Sequence, residues 1–158
     1  LNLDIASKTM IRPYPSSIGW DQKNIYFTNF LNIKIENLSV NINNSISTAH
    51  LVICTWNSTN FINLLYSNIP TVCFWNDELF EIEKSAQFLI NDLFLSNVLH
   101  KNAQSASLFV NKNWNKINKW WFSNKTQKSV LNFVNHYAKN QEKIKNISIK
   151  RLKFLDLS

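Results

Sequence analysis

The sequence predicts an α/β fold: a parallel sheet flanked by helices, with further helices toward the C-terminus. Apolar runs at 51–54 and 71–75 have the length of buried strands, and the segment between them spaces its apolar residues as a helix does. Strand-like and helix-like segments alternate along most of the chain, as in sheets built from crossover helices. With 158 residues, 45% hydrophobic and 13% aromatic, there is material for one packed domain.

The chain opens directly on a candidate strand, and residues 10–15 form another that Pro13 and Pro15 end. Residues 21–30 suit a helix with Tyr26, Phe27 and Phe30 on one side, and Ile33 and Ile35 alternate with Lys34 and Glu36 as in a short half-buried strand. Residues 40–47 offer one or two helical turns before the strand at 51–54. A helix over 58–66 turns Phe61, Leu64 and Leu65 to the core; Ser67-Asn68 ends it and Pro70 blocks its continuation. After the strand at 71–75, a long amphipathic helix is expected over 77–93, with Leu79, Ile82, Ala86, Leu89 and Leu93 on its apolar face. Residues 98–100 form a last strand. Helices follow at 103–117 (Ala106, Phe109, Val110, Trp114, Ile117) and 126–138 (Val130, Phe133, Val134, Tyr137). The result is a doubly wound, Rossmann-like domain over 1–138 and a basic tail at 139–158.

Composition narrows the chemistry. A single glycine leaves no Gly-rich phosphate loop and no G-x-G-x-x-G, which disfavours P-loop and dinucleotide-fingerprint functions. Cys54 and Cys73 make neither a disulfide framework nor a zinc pattern, and both read as small core hydrophobes. His50, His100 and His136 pair with no cysteine or carboxylate at a metal or triad spacing. Asp77, Glu78, Glu81 and Glu83 read as first-turn acids that complement a helix dipole. No metal and no cofactor is expected. The 25 asparagines are compositional bias, and the N-x-S/T triplets they create are not read as glycosylation sites.

No apolar run approaches the roughly 20 residues that span a bilayer, and the opening residues show no signal pattern. The chain reads as a piece of a longer, cytoplasmic protein. Of the net charge of +7, most lies between residues 139 and 153, where Lys139, Lys143, Lys145, Lys150, Arg151 and Lys153 face only Glu142. Such a tail is either a solvated end or a contact for a partner or the inner face of the cell membrane. Nucleic acid is not an expected partner: Trp114, Trp120 and Trp121 read as core or interface packing rather than a base-stacking platform.

The most informative segment joins the strand at 51–54 to the helix at 58–66: Thr55-Trp56-Asn57-Ser58-Thr59. A polar turn at the carboxyl end of a strand is where open α/β sheets bind ligands, and helix N-termini attract anions. Asn57 suits the N-cap, with Ser58 and Thr59 adding hydroxyl donors. One polar residue is enough for an ordinary cap, worth about 1 kcal/mol, and four exceed that need. Both readings, cap and anion grip, stay open on spacing alone. Arg12, the only arginine before Arg151, leaves a strand expected at the same sheet edge and suits either a phosphate or a surface ion pair.

With these residues in view, the chain resembles the C-terminal region of a family of bacterial surface-carbohydrate transferases. The resemblance rests on Thr55–Thr59, Asn68-Ile69-Pro70-Thr71 and Phe74-Trp75-Asn76. It also includes Arg12-Pro13-Tyr14-Pro15 with Gly19-Trp20, Ser105-Ala106 with Val110-Asn111, and Trp114 with Trp120-Trp121, from about residue 10 to 138. More distantly it is similar to the donor half of GT-B glycosyltransferases and of CDP-glycerol glycerophosphotransferases. The resemblance implies a nucleotide-activated sugar or polyol donor over the sheet's carboxyl edge. Asn57, Ser58, Thr59 and Arg12 would hold its diphosphate, and Thr55, Trp56 and Trp75 would form the pocket wall. Family members carry a glutamate one helical turn after the Ser-Thr pair, placed for a donor ribose; this chain has Asn63, which can still hydrogen-bond a hydroxyl. Trp56 stands where the family more often has tyrosine. The GT-B plan draws the glycan acceptor and the catalytic base from an N-terminal domain not included here, so no catalytic residue is assigned and this segment alone is expected to be inactive. The expected function is the donor-binding half of a glycosyl- or polyol-phosphate transferase of cell-surface polysaccharide synthesis. The alternative is a non-catalytic α/β module that docks through its tail.

Overall fold

The computed structural model describes residues 1–14, 19, 21–29, 33–56, 58–75 and 82–137. The chain divides into two compact units, Leu1–Thr48 and Ala49–Ser158. The basic tail lies outside the described residues. The architecture is α/β, with two parallel sheets flanked by helices.

The first unit runs α1 (Leu3–Ser7), β1 (Met10–Ile11), α2 (Gln22–Asn29), β2 (Lys34–Ile35) and α3 (Ile42–Thr48). Its opening segment is a helical turn, not the expected strand. Leu1, Leu3 and Ile5 alternate as strand residues do, but Asn2 Oδ1 accepts the Ile5 amide at 2.9 Å and only Ile5 is buried. β1 and β2 are parallel, Met10 opposite Lys34 and Ile11 opposite Ile35, and the Glu36 amide extends the ladder to the Ile11 carbonyl at 2.8 Å.

The second unit carries the larger core. β3 (Val52–Cys54), β4 (Thr71–Phe74) and β5 (Leu99–His100) form a parallel sheet in the order β3-β4-β5, so β4 is the middle strand. α4 (Thr59–Tyr66) connects the first two, and α5 (Gln87–Leu95) precedes the third. α6 (Ala103–Asn113), α7 (Ile117–Trp121) and α8 (Asn124–Tyr137) follow. Residues of α4, α5, α7 and α8 pack with Cys73, Trp75 and Leu99 in one cluster around Phe61, Leu65, Leu93, Trp121 and Phe133. Strand residues alternate between faces. His100, one position beyond Leu99, turns the other way and meets Phe109 of α6, ring centroids 5.4 Å apart. Helices therefore cover both faces of the sheet.

The long helix expected over 77–93 is shorter and displaced. Residues 76–81 lie outside the described set, Glu83 is extended (ψ 134°), a 3₁₀ turn occupies Lys84–Ala86, and α5 begins at Gln87. Ala86, Leu89 and Leu93 still reach the core, because a 3₁₀ turn followed by an α-helix preserves side-chain stacking three and four residues apart. The helix expected over 103–117 also breaks, into α6, a 3₁₀ turn at Trp114–Lys116 and α7. The break lets Trp120 Nε1 donate to the Ser96 carbonyl at 2.8 Å and Trp121 Nε1 to the Asn68 carbonyl at 3.1 Å.

Candidate functional site

Parallel pairing brings the carboxyl ends of β3, β4 and β5 to one edge of the sheet, where Thr55, Trp75 and Lys101 follow the strands. The turn after β3 is the polar segment singled out from the sequence. α4 begins at Thr59 with Ser58 as its N-cap, one residue later than the Asn57 cap expected; Asn57 itself lies outside the described residues. Ser58 has the extended backbone of a cap (φ −116°, ψ 167°), yet its side chain makes no capping hydrogen bond. The first bond into the helix is Phe61 N–H to the Ser58 carbonyl at 2.9 Å, so the Thr59 and Asn60 amides precede the ladder as N-terminal amides do. This end therefore presents backbone N–H groups, a hydroxyl not used as a cap and the positive end of the helix dipole.

The backbone of the turn is anchored from below. The Trp56 carbonyl accepts the Ser58 amide at 3.0 Å and the Cys73 thiol at 3.7 Å. That leaves the Trp56 side chain 59% exposed at the edge, with Thr55 exposed beside it. Trp75 sits one strand over. Its amide donates to the His100 carbonyl at 3.3 Å, and its ring meets Phe61 of the first turn of α4 edge-on at 6.0 Å. Only 4% of Trp75 is exposed, and its Nε1 is buried without a hydrogen-bond partner. Asn63 lies one turn further along α4, and its Oδ1 is likewise buried without a partner. Buried polar atoms are rarely left unpaired, and these two belong to residues that the resemblance selects.

The structure thus brings Thr55, Trp56, Ser58 and Thr59 into one turn, with Trp75 on the neighbouring strand end and Asn63 on the following helix. Contrary to the expectation from sequence, Arg12 does not share the turn's sheet: it follows β1, which pairs with β2 in a separate two-stranded sheet of the first unit. Its partners there are Glu36, 2.5 Å from Nη1, and the Val40 carbonyl, 3.1 Å from Nη2. An open depression of roughly 660 Å3 runs along β2 and α3 in that unit, with Met10, Ile35, Glu36, Val40 and Ser45 among its lining.

Sequence reasoning set His100 aside, but the fold places it at the carboxyl end of β5, on the same edge as the turn. Its Nε2 lies 3.1 Å from the Asn97 carbonyl, which can only accept, so Nε2 carries the proton and Nδ1 is the basic nitrogen. Burial holds the imidazole below its usual pKa, against the opposing pull of that carbonyl, so the ring is neutral at pH 7. Its place at the end of an expected strand was the signal that could have found it. Cys54 and Cys73 are free thiols, Cys73 buried and Cys54 partly so. Among the described residues, no group of three His, Cys, Asp or Glu could hold a metal, and no helix is long and apolar enough to cross a membrane.

Comparison with known proteins gives one match. The family model described as LIC12162 family transferase covers residues 1–152, hence both units and nearly the whole chain. No curated protein and no solved structure matches. A parallel α/β chain with an anion-ready helix terminus fits a group-transfer function, and the extent of the match decides the assignment: the chain belongs to the LIC12162 family of transferases.

Proposed function

We propose that this chain is the donor-binding half of a glycosyl- or polyol-phosphate transferase acting in cell-surface polysaccharide synthesis, with a nucleotide-activated donor at the carboxyl edge of the second unit's sheet. The observation that carries the reading is Ser58, an N-cap residue whose hydroxyl does not cap, at the start of α4. An oxyanion placed there would accept from the Thr59 and Asn60 amides and from the Ser58 and Thr59 hydroxyls. These donors would offset the charge that develops on the departing nucleoside diphosphate, and they are in place before the reaction begins. Trp56 supplies an exposed aromatic wall, and the unpartnered Oδ1 of Asn63 is an acceptor for a donor hydroxyl. The resemblance also points to Arg12 as an auxiliary phosphate ligand; within the first unit it is held by Glu36 and the Val40 carbonyl. Acceptor and catalytic base come from a further domain.

Calorimetric titration of the full-length protein with UDP-, GDP-, CDP- and CMP-linked donors tests this. Binding of at least one donor, weakened about five- to tenfold by Ser58→Ala, is expected, a loss of about 1–1.4 kcal/mol. No binding, or binding indifferent to Ser58, Thr59 and Arg12, overturns it.

A further inference from the structure

Cys54 closes β3 and Cys73 lies within β4, and the two are register partners across the parallel pair. Register partners project from the same face of a sheet. Neighbouring strands run about 4.8 Å apart, inside the roughly 4.4–6.8 Å span of Cα atoms that disulfides join. Both thiols are free; Cys73 is fully buried, while Cys54 keeps part of its surface in solvent. Cys73 also supports the turn above it, because its Sγ donates to the Trp56 carbonyl that accepts the Ser58 amide.

We propose that Cys54 and Cys73 are a disulfide-forming pair: hydrogen peroxide oxidises the partly exposed Cys54, and the bond then made to Cys73 removes the thiol that anchors the turn at Trp56. In the first step the peroxide O–O bond breaks, the Cys54 thiol becomes a sulfenic acid and one water leaves. In the second, the Cys73 sulfur attacks the Cys54 sulfur and expels hydroxide, which departs as a second water with the Cys73 proton. The two thiols give up two electrons and the peroxide gains two. Burial pushes the Cys54 thiol up to about 12 and Cys73 also well above its usual value, so both remain protonated at neutral pH and the reaction accelerates as pH rises. The partly exposed Cys54 sulfur leaves the bond open to reduction by dithiothreitol. Without its S–H, Cys73 no longer donates to the Trp56 carbonyl that also accepts the Ser58 amide. The consequence for anion binding rests on the function proposed above; the disulfide does not.

The test exposes the intact chain to hydrogen peroxide at mildly alkaline pH, with peptide mapping and amide hydrogen exchange as readouts. A peptide linking Cys54 to Cys73 is expected, reversed by dithiothreitol and absent in Cys54→Ser and Cys73→Ser. Exchange at the Trp56 and Ser58 amides is expected to rise roughly tenfold in the disulfide form. Cys54 oxidised to sulfinate with Cys73 still alkylatable after unfolding overturns the pairing. A disulfide with unchanged exchange overturns its action on the turn. Titration of the reduced protein with inorganic pyrophosphate keeps the two proposals apart: if none binds, the anion site falls while the thiol pair is judged by mapping and exchange alone.

Discussion

Arg12 and Glu36 form an ion pair closed from both sides: Arg12 Nη1 meets Glu36 Oε2 at 2.5 Å, Arg12 Nη2 donates to the Val40 carbonyl, and Ser45 Oγ holds Glu36 Oε1. The Glu36 side chain is 4% exposed and that of Arg12 26%. The pair ties the start of the first unit to the end of β2 and to α3. Burial alone would push the Glu36 carboxyl up; the Ser45 and Arg12 hydrogen bonds and the guanidinium charge outweigh it and leave the pKa below its usual 4.5. Because the folded-state value is the depressed one, the contribution is full above pH 4.5 and is lost as pH falls through the lowered pKa. Thermal melts below pH 4.5 should fall less steeply in Glu36→Gln than in the parent chain, and equal slopes would show that the pair has no such role. Arg12→Ala strands a buried carboxylate and should cost about 2–4 kcal/mol in denaturant titrations, with Glu36→Leu in the same chain recovering most of it.

Asn68 links the end of α4 to the helices that close the core. It stands at φ 51°, where its oxygens accept Trp121 Nε1 at 3.1 Å (carbonyl) and 2.9 Å (Oδ1), and Gln127 Nε2 at 3.0 Å (Oδ1). Two costs can therefore be separated. Asn68→Gly keeps the left-handed backbone and loses only Oδ1, for about 1 kcal/mol, since Trp121 retains the main-chain carbonyl. Asn68→Ala adds the steric penalty of the backbone and should reach about 2–3 kcal/mol. Equal losses in the two variants, measured by chemical denaturation, would show that the backbone conformation contributes nothing.

The β3–α4–β4 unit was legible because local signals agree: an apolar run, a polar turn, helical spacing of Phe61, Leu64 and Leu65, and Pro70 after the stop at Asn68. The opening segment misled because Leu1, Leu3 and Ile5 carry a strand pattern over a stretch too short to show that Asn2 caps a helix. The 77–93 helix was overextended because apolar spacing survives a 3₁₀ turn, so periodicity alone does not expose the extended Glu83. α7 is five residues long, less than two turns, and leaves only Trp120-Trp121 as a trace. At the candidate site, the residue types were readable while their alliances were not. That Ser58 rather than Asn57 caps α4, that Cys73 supports Trp56, and that Arg12 holds Glu36 depend on chain separations no local pattern encodes.

His100 should give the second unit a pH response of its own. Its folded-state pKa is depressed by burial, so between that value and the usual 6.5 the unfolded chain binds the extra proton. Stability is therefore full above pH 6.5 and declines as pH falls toward the depressed pKa, a decline that begins at higher pH than that of Glu36. His100→Gln, which keeps an N–H donor for the Asn97 carbonyl, should flatten the decline that sets in below pH 6.5 and leave the Glu36 contribution in place. Melts that keep the parent's slope near pH 6 would assign that titration to another group.

Ser58 offers the sharpest separation of cap from ligand site. An N-cap serine replaced by alanine normally costs about 1 kcal/mol, because the helix loses a side-chain acceptor. Here the hydroxyl makes no such bond, so Ser58→Ala should change stability by less than about 0.5 kcal/mol. An anion on the Thr59 and Asn60 amides would lose one of its hydroxyl donors, and pyrophosphate affinity should fall about five- to tenfold. Thr59→Ala, at an exposed first-turn position, should behave the same way. A full capping loss in denaturation with pyrophosphate binding unchanged would make Ser58 an ordinary cap; the opposite pattern makes it a ligand contact held ready on a helix that does not need it for its own stability.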